Sequence, residues 1–230
     1  MNHWDSFWSV DRSRVRINRR ITSYDKVQRV IGRFARNRPL FNKMPPKGAY
    51  LDLGCGENVK PGFWGCDYHW LPGVPMCWDA AKGLPIKRDW LAGIFTEHMI
   101  EHIPVDSAYR LLDEFIRVLE PGAWVRIVVP SLEIYARKYV QAISGGQDAM
   151  PSKPEINGDY TPAIGLNDIF YNWGHRFIYD FKMLNIMLTK SGFSEISRRE
   201  YLQGSDSKLL IDTDFRAIES LYVEARKPIN

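Results

Sequence analysis

The stretch Leu51-Asp52-Leu53-Gly54-Cys55-Gly56 closes a short apolar run that starts at Ala49. A run of this kind, ending in glycines, reads as a buried strand leading into a tight turn. Glycine has no Cβ and tolerates positive φ, so a Gly-x-Gly turn lets the backbone approach a ligand closely. Many loops contain such a pair, and alone it decides little. Working outward, Phe63 to Cys66 reads as a second strand closing at Asp67, and Met76 to Trp78 as a third closing at Asp79. Gly93 to Thr96 is a fourth. In an open α/β sheet, ligands bind outside the carboxyl ends of the strands, where the two glycines and both aspartates fall. A carboxylate at Asp67 there can accept hydrogen bonds from both hydroxyls of a ribose.

The rest of the chain continues the alternation. Pro104 opens a helix whose apolar face is Leu111, Leu112, Phe115 and Leu119, with Pro121-Gly122 as its expected end. Trp124 to Val129 reads as a strand, and Leu132 to about Ile143 as a helix. Ser144 to Gly165 shows no periodicity and is expected to be a long loop, a functional lid or disordered. Asp180 caps a further helix carrying Leu184, Met187 and Leu188, which Gly192 ends. Two β-like runs follow, Phe193 to Ser197 and Ser220 to Ala225. This order implies a mostly parallel sheet with an antiparallel addition.

The 230 residues suffice for one sizeable α/β domain, here 48–230, preceded by a basic N-terminal arm and capping helix in 1–47. Within the latter, Tyr24 to Asn37 has helical spacing through Val27, Val30, Ile31 and Phe34. Residues 1–47 hold twelve Lys or Arg against Asp5, Asp11 and Asp25, a charge of +9; with +4 overall, the remainder is −5. That asymmetry fits an anionic partner (phosphate, lipid headgroup or nucleic acid) or simply a solvated basic face. Charges interrupt every apolar stretch, and the N-terminus lacks the apolar core of a signal peptide, so cytoplasmic residence is expected, with the basic segment able to reach the inner membrane face. Cys55, Cys66 and Cys77 are odd in number and form no close pair, which argues against disulfides and a cysteine zinc site.

The ordered segments LDLGCG (51–56), GCD (65–67), WDAAKGLP (78–85), TEHMIEHI (96–103), LEPGAWVRIVVP (119–130), HRFIYD (175–180) and KSGF (190–193) resemble class I S-adenosylmethionine-dependent methyltransferases of the type 11 kind. They are most similar to a bacterial subgroup often associated with glycan and polysaccharide biosynthesis. The resemblance covers roughly residues 48 to 227. It implies a Rossmann-like fold with a seven-stranded, mostly parallel sheet, an antiparallel C-terminal strand and helices on both faces. It further implies S-adenosylmethionine as cofactor, with Gly54 and Gly56 along its methionine portion and Asp67 on the ribose. Asp79 and the Ala80 backbone then meet adenine, Asp52, Cys55 and Tyr68 complete the contacts, and Glu97 and His98 lie near the transferable methyl. A nicotinamide dinucleotide fits less well, because its fingerprint needs a third glycine opening a helix, where Asn58-Val59-Lys60-Pro61 stand. The interval from Gly56 to Asp67 is too short for the usual crossover helix.

Transfer to a hydroxyl also requires removal of a proton, for which histidine is the usual group. His98 and His175 are the candidate bases. His102, Trp173, His175 and Arg176 are candidate acceptor contacts, Arg176 for an anionic group; His102 and Glu101 otherwise brace the following helix. His98 to His102 also matches the H-x-x-E-H pattern of inverted zinc proteases, but it follows a strand and Pro104 stands just behind, so no metal is assigned. The reading is thus O-methylation of a sugar, glycan intermediate or other small hydroxylated acceptor. Two others stay open: a nucleic-acid methyltransferase using the basic arm, without an Asn/Asp-Pro-Pro-aromatic signature or a Pro-Cys nucleophile, and a non-catalytic nucleotide-binding scaffold.

Overall fold

The computed structural model describes residues 23–57 and 59–229. The apolar run before the glycine turn is β1 (Ala49–Leu53), with Leu51 and Leu53 buried to 2% exposure or less. It lies between β2 (Phe63–Asp67) and β4 (Leu91–Glu97), parallel to both. Beyond β2 stands the two-residue β3 (Met76–Cys77), and beyond β4 come β5 (Leu119–Pro130), β7 (Ser220–Arg226) and β6 (Ser194–Arg199). The order β3-β2-β1-β4-β5-β7-β6 is that of a Rossmann-like sheet in which β7 alone runs antiparallel. The chain reverses its direction of winding between β1 and β4. That switch point is where α/β sheets open a crevice at their carboxyl edge.

One face of the sheet is covered by α2 (Val105–Val118) and α5 (Phe181–Lys190). Ala108, Leu111, Leu112, Phe115 and Val118 form the buried stripe of α2, each 1% exposed or less. Burying a side chain of the Leu or Phe class contributes about 1.5–3 kcal/mol, so this stripe alone outweighs the modest propensities of the helix. Asp180 caps α5 by accepting from the Met183 N–H at 2.7 Å, as its position predicted. The opposite face, at Phe95, Val128 and Tyr222, is packed by Tyr201, Leu209 and Ile211 from the segment between β6 and β7. A third cluster joins α3 (Leu132–Ile143) and α4 (Pro162–Tyr171) through Tyr135, Met150, Ile169 and Ile178.

Two expectations change. Pro121-Gly122 does not end α2; the helix stops at Val118 and both residues lie inside β5, where a register shift opposite Leu91 to Gly93 absorbs them and Gly122 takes φ 81°. The aperiodic stretch 144–165 is not all loop, because α4 begins at Pro162. Gly165 is buried in that helix, and a Cβ there would stand 2.5 Å from the Ser152 carbonyl oxygen. What reads as a loop glycine is a packing glycine.

Among the described residues the connection from β1 to β2 carries no helix, in line with the short interval in the sequence. Val59 folds flat onto β2 instead: a Cβ on Gly65 would meet its Cγ2 at 2.5 Å. Helix α1 (Ser23–Ala35) stands at the β3 edge, where the Asn37 N–H donates to the Cys77 carbonyl and the Asn42 side chain accepts from the Cys77 N–H. The arm expected in residues 1–22 lies outside the described residues.

Candidate active site

The glycine turn and the ends of β2 and β3 form the first half of the site. Gly54 and Gly56 take φ 82° and 59°, the left-handed region that favours glycine. A Cβ on Gly54 would collide with Met99 Cγ at 2.5 Å, whereas a Cβ on Gly56 would project into open space. Asp67 holds this turn: its Oδ2 accepts from the Gly56 N–H at 3.0 Å and its Oδ1 from the His69 N–H at 2.7 Å. An ionised carboxylate offers about four acceptor positions, so these two bonds leave capacity for a diol. Tyr68, half exposed, carries the Arg36 guanidinium 3.5 Å over its ring, and Arg36 Nε donates to the Tyr68 carbonyl at 2.7 Å. Asp79 is turned toward its own backbone, accepting from the Ala81 N–H at 3.2 Å, while its N–H donates to Asn37 Oδ1 at 2.7 Å. Ala80 is buried behind it.

Asp52 and Cys55 serve the turn from within. Asp52 is 3% exposed, and its Oδ2 accepts a long hydrogen bond from the Lys60 N–H at 3.5 Å. Burial raises its carboxyl to about 6, against the pull of Lys60 and with a further push from Glu97 and Asp67. A folded value above the ordinary 3.8 means that charging Asp52 costs stability as pH rises through about 6, and costs nothing below about 4. Asp52→Asn is therefore expected to be more stable than wild type at pH 8 by ~2–3 kcal/mol, the gap closing by pH 4; urea denaturation at the two pH values measures it.

The second half lies across β4. His98 follows the strand with φ 50°, uncommon for a residue with a side chain. Its Nε2 shares a hydrogen bond with Ser220 Oγ at 2.8 Å. Ile100–His102 forms a 3-10 turn, and the Glu101 carbonyl accepts from the N–H groups of Arg176 (2.6 Å) and Phe177 (3.2 Å). That clamp brings His175 beside His102, with ring centroids 4.7 Å apart. His175 Nδ1 donates to the Ile169 carbonyl at 2.5 Å, so its Nε2 carries the free lone pair. Burial, with the Arg216 charge second, pushes His98 down to about 2; burial also lowers His102, helped by neighbouring His175, lowers His175 itself, and raises Glu101 to about 8. The three imidazoles are neutral near pH 7 and border a cavity of about 330 Å³ whose other walls include Tyr135, Ser152, Trp173, Phe215, Arg216 and Glu219.

No protein-family model matches the chain, and no curated protein sequence matches it. Some solved structures are similar to it at a low level. Phosphoethanolamine N-methyltransferase 2 of Haemonchus contortus, in complex with S-adenosyl-L-methionine, is 12% identical over 89% of this chain, with a TM-score of 0.47. The chain spans about half (53%) of that enzyme's length. An S-adenosylmethionine-dependent methyltransferase of Archaeoglobus fulgidus is 16% identical, covering 89% of this chain and 95% of its own, with a TM-score of 0.47. Another from Mesorhizobium loti is 16% identical, covering 80% and 93%, with a TM-score of 0.46. Likeness at this level bears on neither activity nor substrate; those must come from the site.

The structure gathers His98, His102, Trp173 and His175 around one cavity. Trp173 is held there by Asp168, whose Oδ2 accepts from the indole N–H at 3.1 Å and from Ser152 Oγ at 2.5 Å. Arg176 is not among the lining residues; its side chain is exposed and only its N–H is used, while the guanidinium on the cavity wall is that of Arg216. Glu97 is taken up by Thr213, accepting from its N–H at 2.9 Å and its Oγ1 at 2.5 Å. Arg216, Phe215 and Met99 escape sequence reasoning, because each reaches the site through a contact between distant segments. Among the described residues no helix is long and apolar enough to cross a membrane.

Proposed function

We propose that this chain is an S-adenosylmethionine-dependent methyltransferase acting on a hydroxyl of a small polar acceptor, such as a sugar or glycan intermediate. One observation carries the reading: consecutive residues at the end of β4 serve two sites, Met99 packing on Gly54 of the glycine turn and His98 lining the cavity. A nucleoside held by the turn and an acceptor held in the cavity thus meet across a single residue step. The crevice fits such a nucleoside in three respects: open space at Gly56, spare acceptor capacity on Asp67, and an exposed Tyr68 ring beside it. S-adenosylmethionine, when bound, supplies a methyl group activated on a sulfonium.

The chain's own work is then alignment and proton management. Trp173 and Phe215, both exposed, offer aromatic surface to a sugar ring, and Ser152, Glu219 and Arg216 offer polar partners. The neutral imidazole of His98, and that of His175 when its Nε2 carries no ion, receives the hydroxyl hydrogen bond. A volume of about 330 Å³ admits a monosaccharide-sized group and sits at the small end of ligand pockets.

Labelled methyl transfer to a panel of free sugars, lipid-linked saccharides and RNA tests the reading: incorporation into a saccharide is expected. Absence of transfer to every saccharide, or transfer to RNA alone, overturns the acceptor class. His98→Ala and His175→Ala are each expected to lower kcat by about a hundredfold while leaving S-adenosylhomocysteine affinity within about twofold. Unchanged kcat removes the residue tested from the chemistry.

A further inference from the structure

We propose that Glu101, His102 and His175 bind one divalent first-row transition-metal ion at the inner wall of the cavity.

An orphaned carboxylate stands beside this wall. Glu101 is 0% exposed, and neither of its oxygens has a hydrogen-bond partner among the described residues. Buried carboxylates are normally paired, hydrogen-bonded or coordinated, because desolvation otherwise goes uncompensated. Its surroundings are imidazole nitrogens. Glu101 Oε1 stands 3.8 Å from His102 Nε2, 4.0 Å from His175 Nε2 and 3.8 Å from His98 Nδ1. These separations are too long for hydrogen bonds. The ligand atoms of Glu101, His102 and His175 all lie within 4.8 Å of one another. Donors that share an ion through bonds of about 2.0–2.2 Å stand about 3–4 Å apart, so a small inward adjustment suffices.

The outer contacts agree. A metal-bound histidine characteristically donates its other ring N–H to a carbonyl or carboxylate. His175 does so toward the Ile169 carbonyl. The Glu101 backbone is fixed by Arg176 and Phe177. Two imidazoles and one carboxylate suit Zn²⁺, Co²⁺ or Mn²⁺ over Mg²⁺ or Ca²⁺, which prefer all-oxygen sets. The zinc-protease reading of H-x-x-E-H requires a helix and fails here, because the motif spans a strand end and a 3-10 turn. The histidine that completes the cluster, His175, comes from a distant segment.

Because both histidines line the cavity, open coordination positions face the acceptor. This role, unlike the site itself, rests on the cavity being the acceptor site. A hydroxyl oxygen on the ion gives up its proton to water at the cavity mouth. Its lone pair then forms the new O–C bond as the methyl–sulfur bond breaks, leaving a neutral thioether.

The test uses the full chain, stripped with chelator and titrated with ZnCl₂ and CoCl₂ by calorimetry, with Co²⁺ absorption as a second readout. One saturable ion per chain and Co²⁺ bands in the visible are expected. Glu101→Gln and His175→Ala should weaken binding at least tenfold, as should His102→Ala, whose side chain is partly exposed and whose loss spares the fold. His69→Ala, outside the cluster, should keep wild-type affinity. Absence of saturable Zn²⁺ and Co²⁺ binding, or wild-type affinity in the Glu101 and His175 variants, overturns the site. S-adenosylhomocysteine titrated in parallel separates the two proposals: ion binding without nucleoside binding leaves the metal site standing and sinks the methyltransferase, and the converse result does the reverse.

Discussion

Arg126→Met is expected to destabilise the protein by about 3–5 kcal/mol and to lower its Tm by ~10–15 °C, read by calorimetric or circular-dichroism melting. Arg126 sits in mid-strand on β5 with no exposed surface, opposite Glu224 of β7. All five of its donor positions are used. Nε and Nη2 reach Asp212 at 2.7 and 2.5 Å, Nη1 reaches Glu224 at 3.0 Å and the Gln203 carbonyl at 2.9 Å, and Nη2 also reaches the Glu200 carbonyl at 3.1 Å. The carboxylates are tied in turn to Leu202 and Ser205 N–H groups. Gly204 passes so near that a Cβ would lie 1.9 Å from Glu224 Oε1. Methionine keeps much of the volume but leaves buried Asp212 without its cation and Glu224 with Arg199 alone, 3.1 Å away, and that loss is large against a typical total of about 5–15 kcal/mol. The triple variant Arg126→Met, Asp212→Asn, Glu224→Gln removes the stranded charge and should recover at least half of the loss. A cost below about 1 kcal/mol in the single variant would show that the network does not clamp segment 200–212. The segment matters to function because it continues into Thr213, which holds Glu97, and into Phe215 and Arg216 on the cavity wall.

The same arginine shows what a sequence yields and withholds. Trp-Val-Arg-Ile-Val-Val was legible as a strand, because apolar β-branched residues between turn signals are a local pattern. A charge inside that run was also a signal, since a central strand admits arginine only with buried partners. The partners lie 86 and 98 positions away, so no local pattern names them. The crevice at the carboxyl edge of the sheet was legible for the converse reason: glycines and aspartates at strand ends are local features, and topology brings strand ends together. The histidines were visible one by one, but their convergence on Glu101 depends on the clamp between residues 101 and 176–177. Helix α4 was passed over because Gly165 and nearby prolines read as loop, although Thr161-Pro162 is a serviceable helix start.

The second large effect is expected at Asp67. Asp67→Ala should weaken S-adenosylhomocysteine binding by about a hundredfold or more, measured by calorimetry. Hydrogen bonds to a charged acceptor contribute about 1.5–3 kcal/mol each, and a ribose diol makes two. Asp67 also shapes the turn through Gly56, so the alanine variant removes ligand contacts and pre-organisation together. Asp67→Asn separates them. Its amide oxygen can keep the Gly56 bond while the charge and one acceptor are lost, which predicts a weakening nearer tenfold. Affinity within about threefold of wild type in Asp67→Ala would remove the carboxylate from nucleoside recognition. Because Asp67 stands on β2 and the Glu101 cluster follows β4, the alanine variant should still take up one Zn²⁺ per chain. A protein that loses the nucleoside yet keeps the ion would demonstrate two independent binding functions joined only at residues 98 and 99.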